Sequence, residues 1–98
     1  MDLRLGPFFA LNQFNKAAHA GKHMELRIAI REGLLDGKTH RIMKMMASYV
    51  SAVYGITPDG MDLEGALFDV DEALCRKIID DIKTRFKRHL RYIEVECL

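Results

Sequence analysis

A chain of 98 residues, 49% of them hydrophobic and 30% charged, can bury one small core and does not have the composition of a disordered segment. Its apolar runs, as in GPFFAL, fall well short of the roughly 18 consecutive residues that a membrane span requires, and MDLRLGPFFAL lacks the basic start and small-residue cleavage pattern of a secretory signal, so a soluble, cytoplasmic protein without membrane association is expected. The net charge of +1 excludes a global field for polyanions, yet the charges are segregated: six acids and no base lie between Asp59 and Glu72, ahead of five cations in KTRFKRHLR, residues 83–91.

Pro7 suits the first turn of a helix, because its missing N–H would be unpaired there anyway. The pattern predicts a first helix over residues 7–20, with Ala10, Leu11, Phe14, Ala17 and Ala18 on one side and the adjacent Phe8 and Phe9 poorly placed for it. KHMELRIAIREGLL reads two ways over residues 24–31. Leu26, Ile28 and Ile30 alternate with Arg27, Ala29 and Arg31 as in a strand, whereas Met24, Ile28, Arg31 and Leu35 follow a helical row. The abundance of helix formers favours a helix here, stopped at Gly37, with Thr39 as the N-cap of the next one.

HRIMKMMASYVSAVY carries the strongest helical period, with Ile42, Met45, Met46, Tyr49, Val50 and Val53 on its apolar arc. Met43 falls at the edge of that arc. Gly55 is placed to end this helix and ITPDG to turn the chain. Asp62 then caps a short helical piece, LEGALF, and Asp71 caps a last long helix whose inner face gathers Cys75, Ile78, Ile79, Ile82, Phe86, His89, Leu90 and Ile93. From Ile93 the period changes to alternation, which predicts a short terminal strand with DLRL as its mate. The expected fold is therefore mainly α: one domain spanning residues 1–98, a bundle of about four helices with room for a two-stranded pairing of the termini.

Cys75 and Cys97 lack CxxC spacing and are expected to be reduced thiols, Cys75 buried. His19 and His23 are spaced as on a metal-binding helix face, but Gly21 interrupts them and no HExxH glutamate or cysteine pair completes a ligand set. The acidic stretches DVDE and PDGMDLEG miss the ligand register of a calcium loop. LDGKTH has Glu32 where a phosphate-cradling loop needs its first glycine, and Ser48 and Ser51 lack the setting of an activated nucleophile. No enzyme activity, cofactor or metal is expected.

The basic stretch places Phe86 on the core side and Lys83, Lys87, Arg88 and Arg91 opposite, so ring and cations are not interleaved as base stacking requires. Glu72 with Arg76 and Asp81 with Arg85 form acid-first i,i+4 pairs, while Lys87 and Arg88 have no close acid. A helix-turn-helix over residues 22–54 is disfavoured by the broad apolar arc of its second helix. The expectation is a non-enzymatic interaction module, an accessory subunit, adaptor, regulator or small inhibitor that docks on a larger protein through Phe8, Phe9, Lys87, Arg88 and Arg91. The alternative is nucleic-acid binding through Arg41, Lys44, Lys83, Lys87, Arg88 and Arg91.

Overall fold

The computed structural model describes residues 23–98. The expected first helix with Phe8, Phe9 and His19, and the strand expected at DLRL, lie outside the described residues. The described chain runs β1 (His23–Ile30), α1 (Gly37–Tyr54), β2 (Gly60–Met61), β3 (Gly65–Asp71), α2 (Glu72–Arg85), a 3-10 turn (Lys87–Arg91) and β4 (Ile93–Cys97). The four strands form one antiparallel sheet in the order β2-β3-β1-β4. Among the described residues, two helices and this sheet stand where the rest of a four-helix bundle was expected.

The correction originates at β1. The helical reading of residues 24–31 rested on intrinsic propensities, which differ by only about 0.7 kcal/mol per residue among ordinary side chains. As a strand, the segment sends Leu26, Ile28 and Ile30 to one face, where all three are buried, and each such burial contributes roughly 1.5–3 kcal/mol. Burial outweighs propensity. β1 pairs with β3 from His23↔Asp71 to Ala29↔Gly65 and with β4 from Leu26↔Cys97 to Ile30↔Ile93. The terminal strand expected from Ile93 onward does form, with β1 as its mate.

LEGALF is likewise no helix. Asp62 Oδ1 accepts from the N–H groups of Glu64 (2.8 Å) and Gly65 (3.0 Å), an aspartate turn that leads from β2 into β3. Ala66, Phe68 and Val70 then join the buried face of β1.

Both helices cover that face. Asp36, rather than Thr39, is the N-cap of α1: its Oδ1 accepts from Thr39 N–H at 2.8 Å, while Thr39 Oγ1 accepts from Asp36 N–H at 2.9 Å, a reciprocal box that makes Gly37 the first residue of this helix instead of a stop. Thr39, Met43, Met46, Ala47 and Val50 face inward. Met45 and Val53, expected in the core, are 43% and 54% exposed, whereas Met43 is fully buried. Apolar residues surround most of this helix, so its period alone did not fix which stripe meets the sheet. Gly55 closes α1 in the left-handed region (φ 67°) and donates to Ser51 O at 2.9 Å, as expected.

Asp71 caps α2 by accepting from Leu74 N–H at 2.8 Å, and Cys75, Ile78 and Ile82 are fully buried beneath it. Cys75 is not a free thiol. It is disulfide-bonded to Cys97, the Cα atoms lying 6.2 Å apart, because the inner face of α2 and the end of β4 meet over the sheet. No spacing motif announces such a tertiary pairing. The β1-α1-β2 and β3-α2-β4 units interleave in one sheet, the split βαβ arrangement of ferredoxin-like folds. Such folds carry many unrelated activities, so function rests on surfaces rather than on topology. No helix among the described residues is long and apolar enough to cross a membrane.

Reducing the Cys75–Cys97 bond is expected to lower the unfolding free energy by about 3 kcal/mol, the chain-entropy value for a ring of this size, measured by urea denaturation with and without reductant. Packing at the β1–β3 crossing gives a second outcome. A Cβ on Gly65 would lie 2.8 Å from Ile28 O and 3.0 Å from Ala29 Cβ, whereas one on Gly60 would meet nothing within 4 Å. Gly65→Ala should therefore destabilise by about 1–3 kcal/mol through overpacking and Gly60→Ala far less, compared by thermal melting.

Candidate functional site

α2 stops at Arg85 with neither proline nor glycine to stop it. Phe86 departs from helical geometry (φ −115°, ψ 33°) while its N–H still closes onto Ile82 O at 2.8 Å. Its ring meets Tyr49 edge-on, with centroids 5.2 Å apart, and stacks on His89 at 6.1 Å. A helix continued through residue 92 would carry the chain past the sheet, yet β4 has to begin at Ile93 opposite Ile30. The 3-10 turn makes that reversal. Arg31 fastens it, donating from its backbone N–H to Tyr92 O (2.8 Å) and from Nε to Leu90 O (3.0 Å). His89, expected in the core, is half-buried on this turn.

A polar clamp between the helices supports the same corner. Asp81 Oδ2 accepts from Tyr49 OH at 2.6 Å and from Tyr54 OH at 2.7 Å. Arg85 Nε lies 3.5 Å from Asp81 Oδ1, and its guanidinium sits over the Tyr49 ring at 4.9 Å. The hydroxyl of Tyr49, then that of Tyr54, holds the Asp81 carboxyl below its ordinary range. The same bond to Asp81, with burial second, pushes Tyr54 up to about 12 and raises Tyr49 as well.

Beside this corner lies an open groove of about 680 Å³. Ile42 and Tyr92 form its floor; Lys38 enters from α1, and Lys87, Arg88, His89 and Arg91 from the 3-10 turn. Among the described residues no carboxylate lines it. Lys38 Nζ and the Arg91 guanidinium lie 5.8 and 5.6 Å from the centroid of the Tyr92 ring, cation–π contacts that tie the two walls to one floor residue. Lys38 also stands in the first turn of α1, where the helix dipole opposes a cation, so helix stability does not account for it. By contrast, a second groove, near the β1–α1 loop, sets Arg27 and Arg31 against Glu32, Glu64 and Glu94.

Lys87, Arg88 and Arg91 all line this groove, on a 3-10 turn rather than on the flank of a long helix. Arg41, Lys44 and Lys83 are exposed but do not line the groove, and Phe8 and Phe9 lie outside the described residues. Lys38 and Tyr92 escaped the sequence reading because nothing local links positions more than fifty residues apart. The expected ion pairs form: Arg76 Nη2 with Glu72 at 2.9 Å and Arg85 with Asp81. Among the described residues no group of three or more histidine, cysteine or acidic side chains could hold a metal ion, and His23 Nδ1 bonds Asp69 at 2.8 Å. Comparison with models of protein families, with curated proteins and with solved structures finds no match to this chain.

The clamp titrates at both ends of the pH scale. Because Asp81 is lowered in the fold, its contribution is complete above the ordinary carboxylate range and is lost as the pH falls through the lowered value. Tyr54 is raised, so its contribution is complete below its unfolded value and is lost as the pH rises through about 12. Asp81→Asn should bring Tyr54 back toward the ordinary value of about 10, followed by the ultraviolet absorbance of tyrosinate in alkaline titration.

Proposed function

We propose that this chain is a non-enzymatic docking module that binds an anionic segment of a larger protein in the groove between α1 and the 3-10 turn. One observation carries the reading: cations from two distant parts of the chain converge on the Ile42–Tyr92 floor with no carboxylate among the described residues that line it. None of Lys38, Lys87, Arg88 and Arg91 makes an ion pair within the described residues, whereas Arg27, Arg76 and Arg85 all do. Lys87, Arg88 and Arg91 are therefore open to an outside anion, Lys38 joins them from within the field of the Asp36 carboxylate, and the apolar floor suits an anchoring side chain.

Nucleic acid is the weaker partner. Sequence-independent binding needs several phosphates neutralised along a track, and Arg41, Lys44 and Lys83 do not extend the groove into one. The disulfide favours a setting in which thiols are oxidised over the cytoplasm expected from the lack of a secretory signal pattern.

Affinity capture from nuclease-treated native lysate should retain a protein partner with the wild-type chain and lose it with Lys87→Glu combined with Arg88→Glu, while the variant keeps its circular dichroism and melting temperature. Retention by both chains would overturn the site assignment. A mobility shift on duplex or single-stranded nucleic acid, falling steeply with salt and abolished by the same variant, would replace the reading with the nucleic-acid one.

A further inference from the structure

Building on the docking reading above, we propose that the anion taken by the groove is a phosphate or sulfate ester on a side chain of the protein partner, not a carboxylate. Arg88 and Arg91 stand three residues apart within the 3-10 turn, where side chains at i and i+3 eclipse. Both line the groove from that turn. Lys38 approaches from the other wall, tied with Arg91 to the same Tyr92 ring. Three cations from two separate elements therefore share one groove.

A carboxylate is planar, and one bidentate guanidinium satisfies both of its oxygens. A second arginine and the lysine would then have to share two oxygens already engaged. A tetrahedral ester head offers three terminal oxygens, enough for both arginines and the lysine at once. Arginine is also the side chain whose fork matches such a head in two-point contact, with lysine acting beside it as a point charge. The stem of the ester rests on Ile42 and Tyr92. No ion pair within the described residues has to break for any of this to occur.

Phenyl phosphate, phenyl sulfate and benzoate, each titrated against the full chain at one neutral pH, provide the test, with backbone amide shifts of Lys38, Ile42 and residues 87–92 as readout. At least one ester should bind about tenfold tighter than benzoate, the worth of one extra charge-assisted hydrogen bond, and the tighter of the two assigns the source. Arg88→Gln and Lys38→Gln should each weaken that ester about tenfold, whereas Arg76→Gln, remote from the groove and paired with Glu72, should leave it unchanged. Equal binding of all three probes, shifts confined to other surfaces, or indifference to Arg88→Gln would overturn the ester assignment. Groove-dependent protein capture with no ester preference would sink this inference alone. An ester preference without any capture would sink the docking role and leave the ligand chemistry standing.

Discussion

β1 is hydrogen-bonded along both edges, to β3 on one side and to β4 on the other, and its alternation sets the faces of the whole sheet. Leu26, Ile28 and Ile30 point to one side and Glu25 and Arg27 to the other, so one register fixes where every neighbouring strand turns its side chains. A slip of one residue would exchange Ile28 for Arg27 beneath the helices. Each helix then needs only to present an apolar stripe to a surface already defined. That is why Met43, Met46 and Val50 from α1 and Cys75, Ile78 and Ile82 from α2 end in a single cluster with Phe68 and Ile93.

The demands of this sheet also create the groove. With β4 obliged to start opposite Ile30, the chain leaving α2 has few residues in which to reverse, and the 3-10 turn reverses it at the cost of poorer backbone geometry. The Tyr49–Phe86 contact and the two tyrosine hydroxyls on Asp81 brace the helix end against α1. Arg31 holds the far side of the turn to the end of β1. Cations that a continuous helix would have spread along a solvated flank are turned instead toward the start of α1. A charge pattern with an ordinary helical explanation becomes, through one tertiary constraint, one wall of a concave basic surface.

What could be read from sequence followed the range of the forces involved. Helix α1, its glycine stop at Gly55, the Asp71 cap, the alternation from Ile93 onward and the Glu72–Arg76 pair are all set by neighbours within a few positions, and each was legible. The strand at β1 was visible as one of two readings and lost to propensity, because the burial that decides it comes from β3, β4 and both helices. The Asp62 turn was mistaken for a cap, since an aspartate that accepts from N–H groups two and three residues on does so in either structure. Lys87 and Arg88 could be singled out as cations without local acids. Their meeting with Lys38 and Tyr92, like the union of Cys75 with Cys97, depends on the fold as a whole and leaves no mark in spacing.

The exposed face of the sheet bears on which surface of the molecule acts. Four-stranded sheets that read single-stranded RNA do so with aromatic rings on the central strands, and the corresponding positions here are Glu25, Arg27 and Ala29 on β1 and Leu67 and Asp69 on β3. Arg27 is itself taken up by Glu94, at 3.2 Å, and by Glu96 on β4. Among the described residues the one Phe, Tyr or Trp on any strand is Phe68, fully buried beneath the helices. This face, among the described residues, is therefore mainly acidic and carries no ring for a base to stack on, while Lys38, Lys87, Arg88 and Arg91 gather beside the helices. Among the described residues the two surfaces thus differ in the sign of their charge, and it is on that difference that the docking proposal rests.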